Sequence, residues 1–314
     1  MTKFIQTLLI LLISSNLFSQ EIKRIYYNPD WKVCEKEDAK YYRIVKIDND
    51  GKSVGKVRDY YIKNNQLQWQ GKMNYIDSID NAKDSIFGIC KWYHENGKVS
   101  KVIDIEKGKP SPSTYIDCDE YGACQKVFFE YFQDNKNRWL LENVDDKDYK
   151  YRSKIIPNQG LLMTNKSKHG YVEFINSELV SEANFSIETV ISFKGGSRSH
   201  GHGLIWGFKD WSNYYYFLIN ASQQYTIGAW IEGMHVIYKD WDDSYSINYG
   251  KNNNQLKIVK VDKQIHYLVN GDLIFSNNFH QLRSSNVGFI IGWQKRELLF
   301  KELLIKQDVK NTFD

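Results

Sequence analysis

The sequence predicts an all-β protein: a C-terminal β-sandwich with the strand spacing of a jelly roll, preceded by a β-hairpin or meander repeat module. Three observations carry this. Period-two runs recur, most clearly where Phe185, Ile187, Thr189, Ile191 and Phe193 alternate with Ser186, Glu188 and Ser192, with Val190 alone breaking the pattern of one buried strand face. Short runs are separated by turn pairs such as Asp50-Gly51, Asn96-Gly97 and Asn270-Gly271. Aromatic residues make up 15% of the chain, and these side chains favour pleated, half-buried surfaces.

A chain of 314 residues exceeds the usual single-domain size, so one or two domains are expected, and 42% hydrophobic residues suffice for a packed core. With only 4 prolines, a long disordered linker is not expected. From the N-terminus, Lys3, the apolar run Leu8 to Ile13, and Ser14, Ser15 and Ser19 before Glu21 read as a secretory signal peptide over 1–20. The apolar run is shorter than the roughly 20 residues a membrane span requires, and no later run reaches that length. The mature chain is therefore expected to be exported, to the periplasm, the cell surface or the medium.

Residues 21–150 form the first expected module. Asp38 onward reads as strand, Asn49-Asp50-Gly51 turn, strand, Asn64-Asn65 turn, strand. The same order returns near Gly88, and Gly55 with Tyr60 is spaced like Gly88 with Tyr93, a repeat of about 33 residues. Asp119 to Gly122, followed by Val127, Phe129 and Tyr131, suggests a third, degenerate unit. Through Tyr60, Gly71, Gly88, Trp92, Tyr93, Asn96, Gly97, Lys98 and Gly108, this stretch resembles the MORN-like repeats of YwqK-type bacterial proteins, which implies a repetitive β scaffold rather than a chemistry. All four cysteines, Cys34, Cys90, Cys118 and Cys124, lie in this half; Cys118 with Cys124 is the expected disulfide, since no CxxC spacing or histidine cluster supports zinc.

Phe128 to Trp139 is aromatic and reads as strand or short helix, and the charged stretch Glu142 to Lys150 as the boundary. The second module, 151–314, is expected to hold an edge strand at Gly170 to Ile175 and strands at Leu204 to Phe208, Tyr214 to Ile219 and Tyr225 to Trp230 after a glycine-rich turn, Gly195 to Gly203. Leu256 to Val261, Gln264 to Val269, Leu273 to Phe275, Val287 to Trp293 and Leu298 to Lys306 complete it. This text, from "FSIETVISF" to "LLFKELLIK", looks like the concanavalin A-like lectin/glucanase superfamily, including laminin-G-like domains. The resemblance implies binding or cleavage of carbohydrate, or binding of protein, across one sheet.

The net charge of +4 is not gathered into a basic stripe, which argues against nucleic acid and anionic membrane as partners. Glu173, Glu188, Glu232, Asp240, Asp242 and Asp243 are scattered, and the E-x-D-x-x-E run of the superfamily's glucanases is absent, so no catalytic residue is assigned. His200 and His202 offer only two metal ligands, and a hairpin loop with exposed polar residues accounts for them; no metal or cofactor is assigned. Nothing resembles a nucleophile elbow, phosphate loop or dinucleotide fingerprint. The binding candidates are aromatic: Trp206, Trp211, Tyr214, Tyr216, Trp230 and Trp241, with Tyr238 beside them. Trp211 and Trp241, flanked by Asp210, Ser212, Asp240 and Asp242, are the two least suited to a core. The expected function is a non-catalytic exported carbohydrate-binding or surface-interaction protein, the alternatives being a glycoside hydrolase and a protein-binding module, and the partner an extracellular polysaccharide or a surface protein.

Overall fold

The computed structural model describes residues 21–48, 52–76, 84–106, 109–293 and 295–310. The expected signal peptide and the Asn49-Asp50-Gly51 turn lie outside them, as does Gly108. The described residues contain 22 strands and a single 3-10 turn at Lys36–Asp38, so the protein is all-β. The chain forms two compact units, Met1–Cys124 with Lys310–Asp314, and Gln125–Val309.

The first unit is a meander. Strands β1 Glu21–Tyr27, β2 Tyr41–Ile47, β3 Val57–Tyr61, β4 Leu67–Tyr75, β5 Ser85–Tyr93, β6 Val99–Glu106 and β7 Lys109–Cys118 each pair antiparallel with the next. Their alternation gathers Val45, Val57, Trp69, Met73, Cys90 and Ile105 into a small core. The turns share one chemistry: Asn96 Oδ1 accepts the N–H of Lys98 at 3.0 Å, and Asp119 Oδ1 those of Tyr121 and Ala123 at 2.9 Å. Gly97 (φ 83°) and Gly122 (φ 93°) take the left-handed position that closes each turn. Neighbouring turns are stitched together, Asn64 Nδ2 donating to Glu95 O at 2.8 Å and Asn96 Nδ2 to Glu120 O at 2.9 Å. The expected disulfide, Cys118–Cys124, clamps the Asp119–Ala123 turn, whereas Cys34 and Cys90 are free thiols. Buried Arg43 pairs with Asp59 at 2.7 Å and with Asp84; burial opposes its charge, but the Asp59 carboxylate more than offsets this and raises the guanidinium further.

The second unit is a β-sandwich. Its strands are β8 Cys124–Glu130, β9 Asn143–Asp145, β10 Lys150–Ile156, β11 Gly160–Asn165, β12 Tyr171–Asn176, β13 Phe185–Gly196, β14 His202–Asp210 and β15 Asn213–Ile219. Then follow β16 Gln224–Ile231, β17 Met234–Asp243, β18 Asn253–Val261, β19 Gln264–Val269, β20 Asp272–Asn278, β21 Asn286–Ile291 and β22 Arg296–Val309. One sheet runs β8-β22-β13-β18-β19-β20, with β11, β10 and β9 added along β22; the other runs β12-β21-β14-β15-β16-β17. Ile187, Ile258 and Phe300 from the first sheet meet Leu204, Phe217, Ile227 and Phe289 from the second in one apolar core.

The compact units divide at Cys124, and Phe128, Phe132 and Trp139 lie in the sandwich core. Two sequence expectations shift here. The aromatic stretch is strand only to Glu130 and then irregular, with Phe132, Arg138 and Leu141 at positive φ. Two buried acids hold that segment: Glu130 accepts the N–H of Phe132 at 2.5 Å, Asn137 Nδ2 at 2.6 Å and Trp139 Nε1 at 3.1 Å. Glu173 accepts the N–H groups of Leu141 and Glu142 at 3.3 and 3.2 Å, together with the Ser153 and Tyr171 hydroxyls. Finally, the glycine-rich turn is shorter than expected, since β13 runs on to Gly196 and β14 begins at His202.

Candidate functional site

Strand β15 sets the site. Tyr215, Phe217 and Ile219 point into the sandwich core, whereas Tyr214, Tyr216 and Leu218 belong to the opposite face of the sheet, where they form a second apolar cluster with Ile205, Phe208 and Ile290. On that face a cleft of about 450 Å³ is floored by Tyr214, Tyr216, Trp230 and His235. The rings form a continuous layer: Trp230 stacks on His235 at 4.9 Å, and Tyr216 lies 5.9 Å from the same imidazole. Tyr216 Oη and His235 Nε2 are hydrogen-bonded at 2.8 Å. The Tyr216 ring can lie across β16 because Gly228 beneath it carries no side chain; a Cβ there would stand 2.3 Å from Tyr216 Oη.

Three further tryptophans rise around this floor, Trp211, Trp241 and Trp293, with 50%, 41% and 51% of their surface exposed. Trp211 occupies the tight turn between β14 and β15, which Asp210 Oδ1 fixes by accepting the Ser212 N–H at 2.8 Å and Asn213 Nδ2 at 3.0 Å. Those bonds hold the Asp210 carboxyl below the usual carboxylate range. Trp241 lies near the end of β17, where the pairing with β16 is irregular, and its ring covers Gly201, at which a Cβ would stand 3.1 Å away. The loop carrying His200 and Gly201 is braced from below: Arg296 donates to Gly201 O at 2.7 Å and to His202 Nδ1 at 2.7 Å. His202 is fully buried, and burial, then the Arg296 charge, hold its pKa well below the ordinary value, so the imidazole is neutral. Burial likewise pulls Arg296 down to about 10.

The cleft brings together Trp211, Tyr214, Tyr216, Trp230 and Trp241 of the sequence candidates. Trp206 is a correction. It is directly opposite Tyr215 in the β14–β15 ladder, and directly paired residues project from the same face, so its indole lies in the sandwich core, 1% exposed, stacked on Tyr215 at 5.7 Å. Tyr238 also packs against the main core, beside His280. His200 and His202 do not converge: His200 lines the cleft, while His202 points at Arg296 beneath it. Sequence reasoning missed Trp293, expected as a strand residue; β21 ends at Ile291, and Trp293 beyond it lines the cleft. It also missed His235, which faces Trp230 across the β16–β17 hairpin, and weighed His200 only as a metal ligand.

Polar groups in the cleft are few. His200 Nε2 is shielded and has no hydrogen-bond partner among the described residues. Asp240 is the single carboxylate among the described lining residues. Burial raises the Tyr216 hydroxyl to about 12, so it stays protonated at neutral pH. No group of three or more His, Cys, Asp or Glu among the described residues is arranged to hold a metal, and no described helix is long and apolar enough to cross a membrane.

No family model matches the chain, and no curated protein matches it. Among solved structures it is similar to the carbohydrate-binding module CBM66 from Bacillus subtilis, with 16% identity, 49% of this chain and 89% of that one covered, and a TM-score of 0.37. It is also similar to an endo-beta-1,3-glucanase from Pyrococcus furiosus, with 9% identity, 63% and 99% covered, and a TM-score of 0.39. A third is a xylan beta-1,4-xylosidase from Bacillus halodurans C-125, with 10% identity, 90% and 75% covered, and a TM-score of 0.41. At these identities the likeness concerns β architecture alone.

Proposed function

We propose that the Gln125–Val309 unit is a carbohydrate-binding module of an exported protein, which holds a polysaccharide in the aromatic cleft without cleaving it. The single observation that carries this reading is the tryptophan-lined cleft. Trp211, Trp241 and Trp293 keep about half their surface in water although each has a large apolar area to bury, and all three border one cavity. A sugar offers what such rings accept, apolar C–H faces against the negative ring face, with hydroxyls left over for Asp240. The two-carboxylate route of glycoside hydrolysis places its carboxyl groups about 5 to 9.5 Å apart, and Asp240 is the one carboxylate among the described lining residues of this cleft. The Cys118–Cys124 disulfide fits an oxidising compartment, and the meander unit serves as spacer or partner surface.

Affinity electrophoresis of the purified chain through gels containing soluble polysaccharides tests this, with release of reducing ends measured in parallel. Retardation that is lost in Trp241→Ala is the expected result. Migration unchanged in every polysaccharide would sink the reading, and release of reducing ends would move the protein to the hydrolase alternative.

A further inference from the structure

Building on the carbohydrate reading of the cleft, we infer that this cleft is half of a longer groove and that its occupant is the interior of an extended, uncharged polysaccharide chain. A second cleft of about 590 Å³ adjoins the first, and Gly170 and Trp211 line both. Trp211 is thus a ridge between two depressions. Gly170 is the low point beside it, where even a Cβ would touch the indole at 3.7 Å.

The second cleft has its own ring surface. Exposed Tyr149 stacks on His169 at 4.9 Å, and behind them Tyr151 packs at 4.2 Å on Tyr171, which is buried in the sandwich core. These rings are held in place: Asp146 Oδ1 accepts the Tyr149 N–H at 2.6 Å, Asp146 N–H donates to Tyr149 O at 2.9 Å, and buried Glu173 anchors Leu141 and Glu142. Each depression alone is of the size that encloses one small ligand. Two ring sets on either side of an exposed tryptophan suit successive residues of a chain passing over it.

Charge sets the class of chain. Among the described lining residues of both clefts there is no lysine or arginine, whereas Glu142, Asp210 and Asp240 contribute carboxylates, although the protein as a whole carries +4. An anionic polymer would meet like charge and gain no ion pair there. A neutral chain loses nothing to repulsion and can donate its hydroxyl protons to those carboxylates.

The test uses the full chain against soluble β-glucan, xylan and galactomannan as neutral probes and polygalacturonate as the anionic one, followed by titration calorimetry with di- to hexasaccharides of the polymer that is retained. Retention by a neutral polymer and none by polygalacturonate is expected, with affinity rising up to the hexasaccharide. Tyr149→Ala should weaken the hexasaccharide at least about fivefold and leave the disaccharide unchanged, whereas Trp241→Ala weakens both. Tyr149→Phe, which keeps the ring, should bind as the parent does, and an unaltered melting temperature excludes misfolding of the exposed Tyr149 variant. Equal affinity for di- and hexasaccharide, or no effect of Tyr149→Ala, would overturn the longer groove while a Trp241→Ala defect leaves the first cleft standing. Preferential retention by polygalacturonate would overturn the neutral class, and no retention at all would remove the carbohydrate reading and this inference with it.

Discussion

Trp206 and Trp241 are both tryptophans on strands of the same sheet, yet opposite costs are expected for their removal. Trp206→Ala deletes a buried ring and should destabilise the fold by about 3 to 5 kcal/mol without touching the cleft. Trp241→Ala should lower polysaccharide affinity by about 1 to 3 kcal/mol, with a smaller change in melting temperature. Thermal melts and affinity electrophoresis on both variants distinguish the two; the reverse assignment of effects would invert the two faces of the sheet. Gly228→Ala belongs with them: a Cβ 2.3 Å from Tyr216 Oη and 2.6 Å from Val236 O must displace the ring, and the Tyr216–His235 bond should be lost with about 1 to 3 kcal/mol of stability. The buried His202 adds a pH effect. Its folded pKa is lowered, so between that value and about 6.5 the unfolded chain binds the proton and the native one does not; its stabilising contribution is present above about pH 6.5 and is lost as pH falls. The melting temperature should drop from pH 7.5 to pH 5, with a limiting slope of about 1.4 kcal/mol per pH unit, and His202→Gln should remove that part of the slope. A pH profile unchanged by the substitution would refute it.

Among the elements, the irregular segment between β8 and β9 depends on acids rather than on a strand ladder. Backbone N–H groups outside regular pairing must find acceptors, and Glu130 and Glu173 provide them from inside the protein. Glu173→Gln replaces one acceptor oxygen by a donor facing other donors, which should cost about 1 to 3 kcal/mol in a denaturant melt; an unshifted midpoint would mean that water or rearrangement satisfies these groups. The Asp119–Ala123 turn is different, since Asp119 already orders it through its own side chain. Reducing Cys118–Cys124, which closes a short loop, should therefore shift stability by about 3 kcal/mol or less, and unreduced peptide mapping should recover the two cysteines in one linked fragment.

At the scale of the molecule, the division of the chain matters for any experiment on the sandwich. A fragment beginning at Gln125 keeps Phe128, Phe132 and Trp139 in the core and should melt cooperatively. One beginning at Tyr151, the boundary that the charged stretch Glu142 to Lys150 suggests, loses three buried aromatic rings and should be molten or aggregate. Equal stability of the two fragments would refute the placement of those rings.

The sequence alone determined the all-β class, most strands of the sandwich and the Cys118–Cys124 bridge, because alternation, turn chemistry and composition are local properties written within a few residues; of its aromatic candidates, five line the cleft. Trp211 was legible from its polar neighbours in a tight turn. Trp206 was not, because the face a strand residue occupies depends on the register of its partner strand, and a slip of one residue exchanges the faces. Trp293, His200 and His235 reach the cleft from loops and strands far apart in the chain, joined only by the order β21-β14-β15-β16-β17. The acids show the same limit: Glu173 and Asp240 both read as scattered acids in the sequence, yet one is buried beneath four donors and the other borders the cleft. Tertiary structure decided these, since burial and ligand access are set by what packs opposite a residue rather than by what adjoins it.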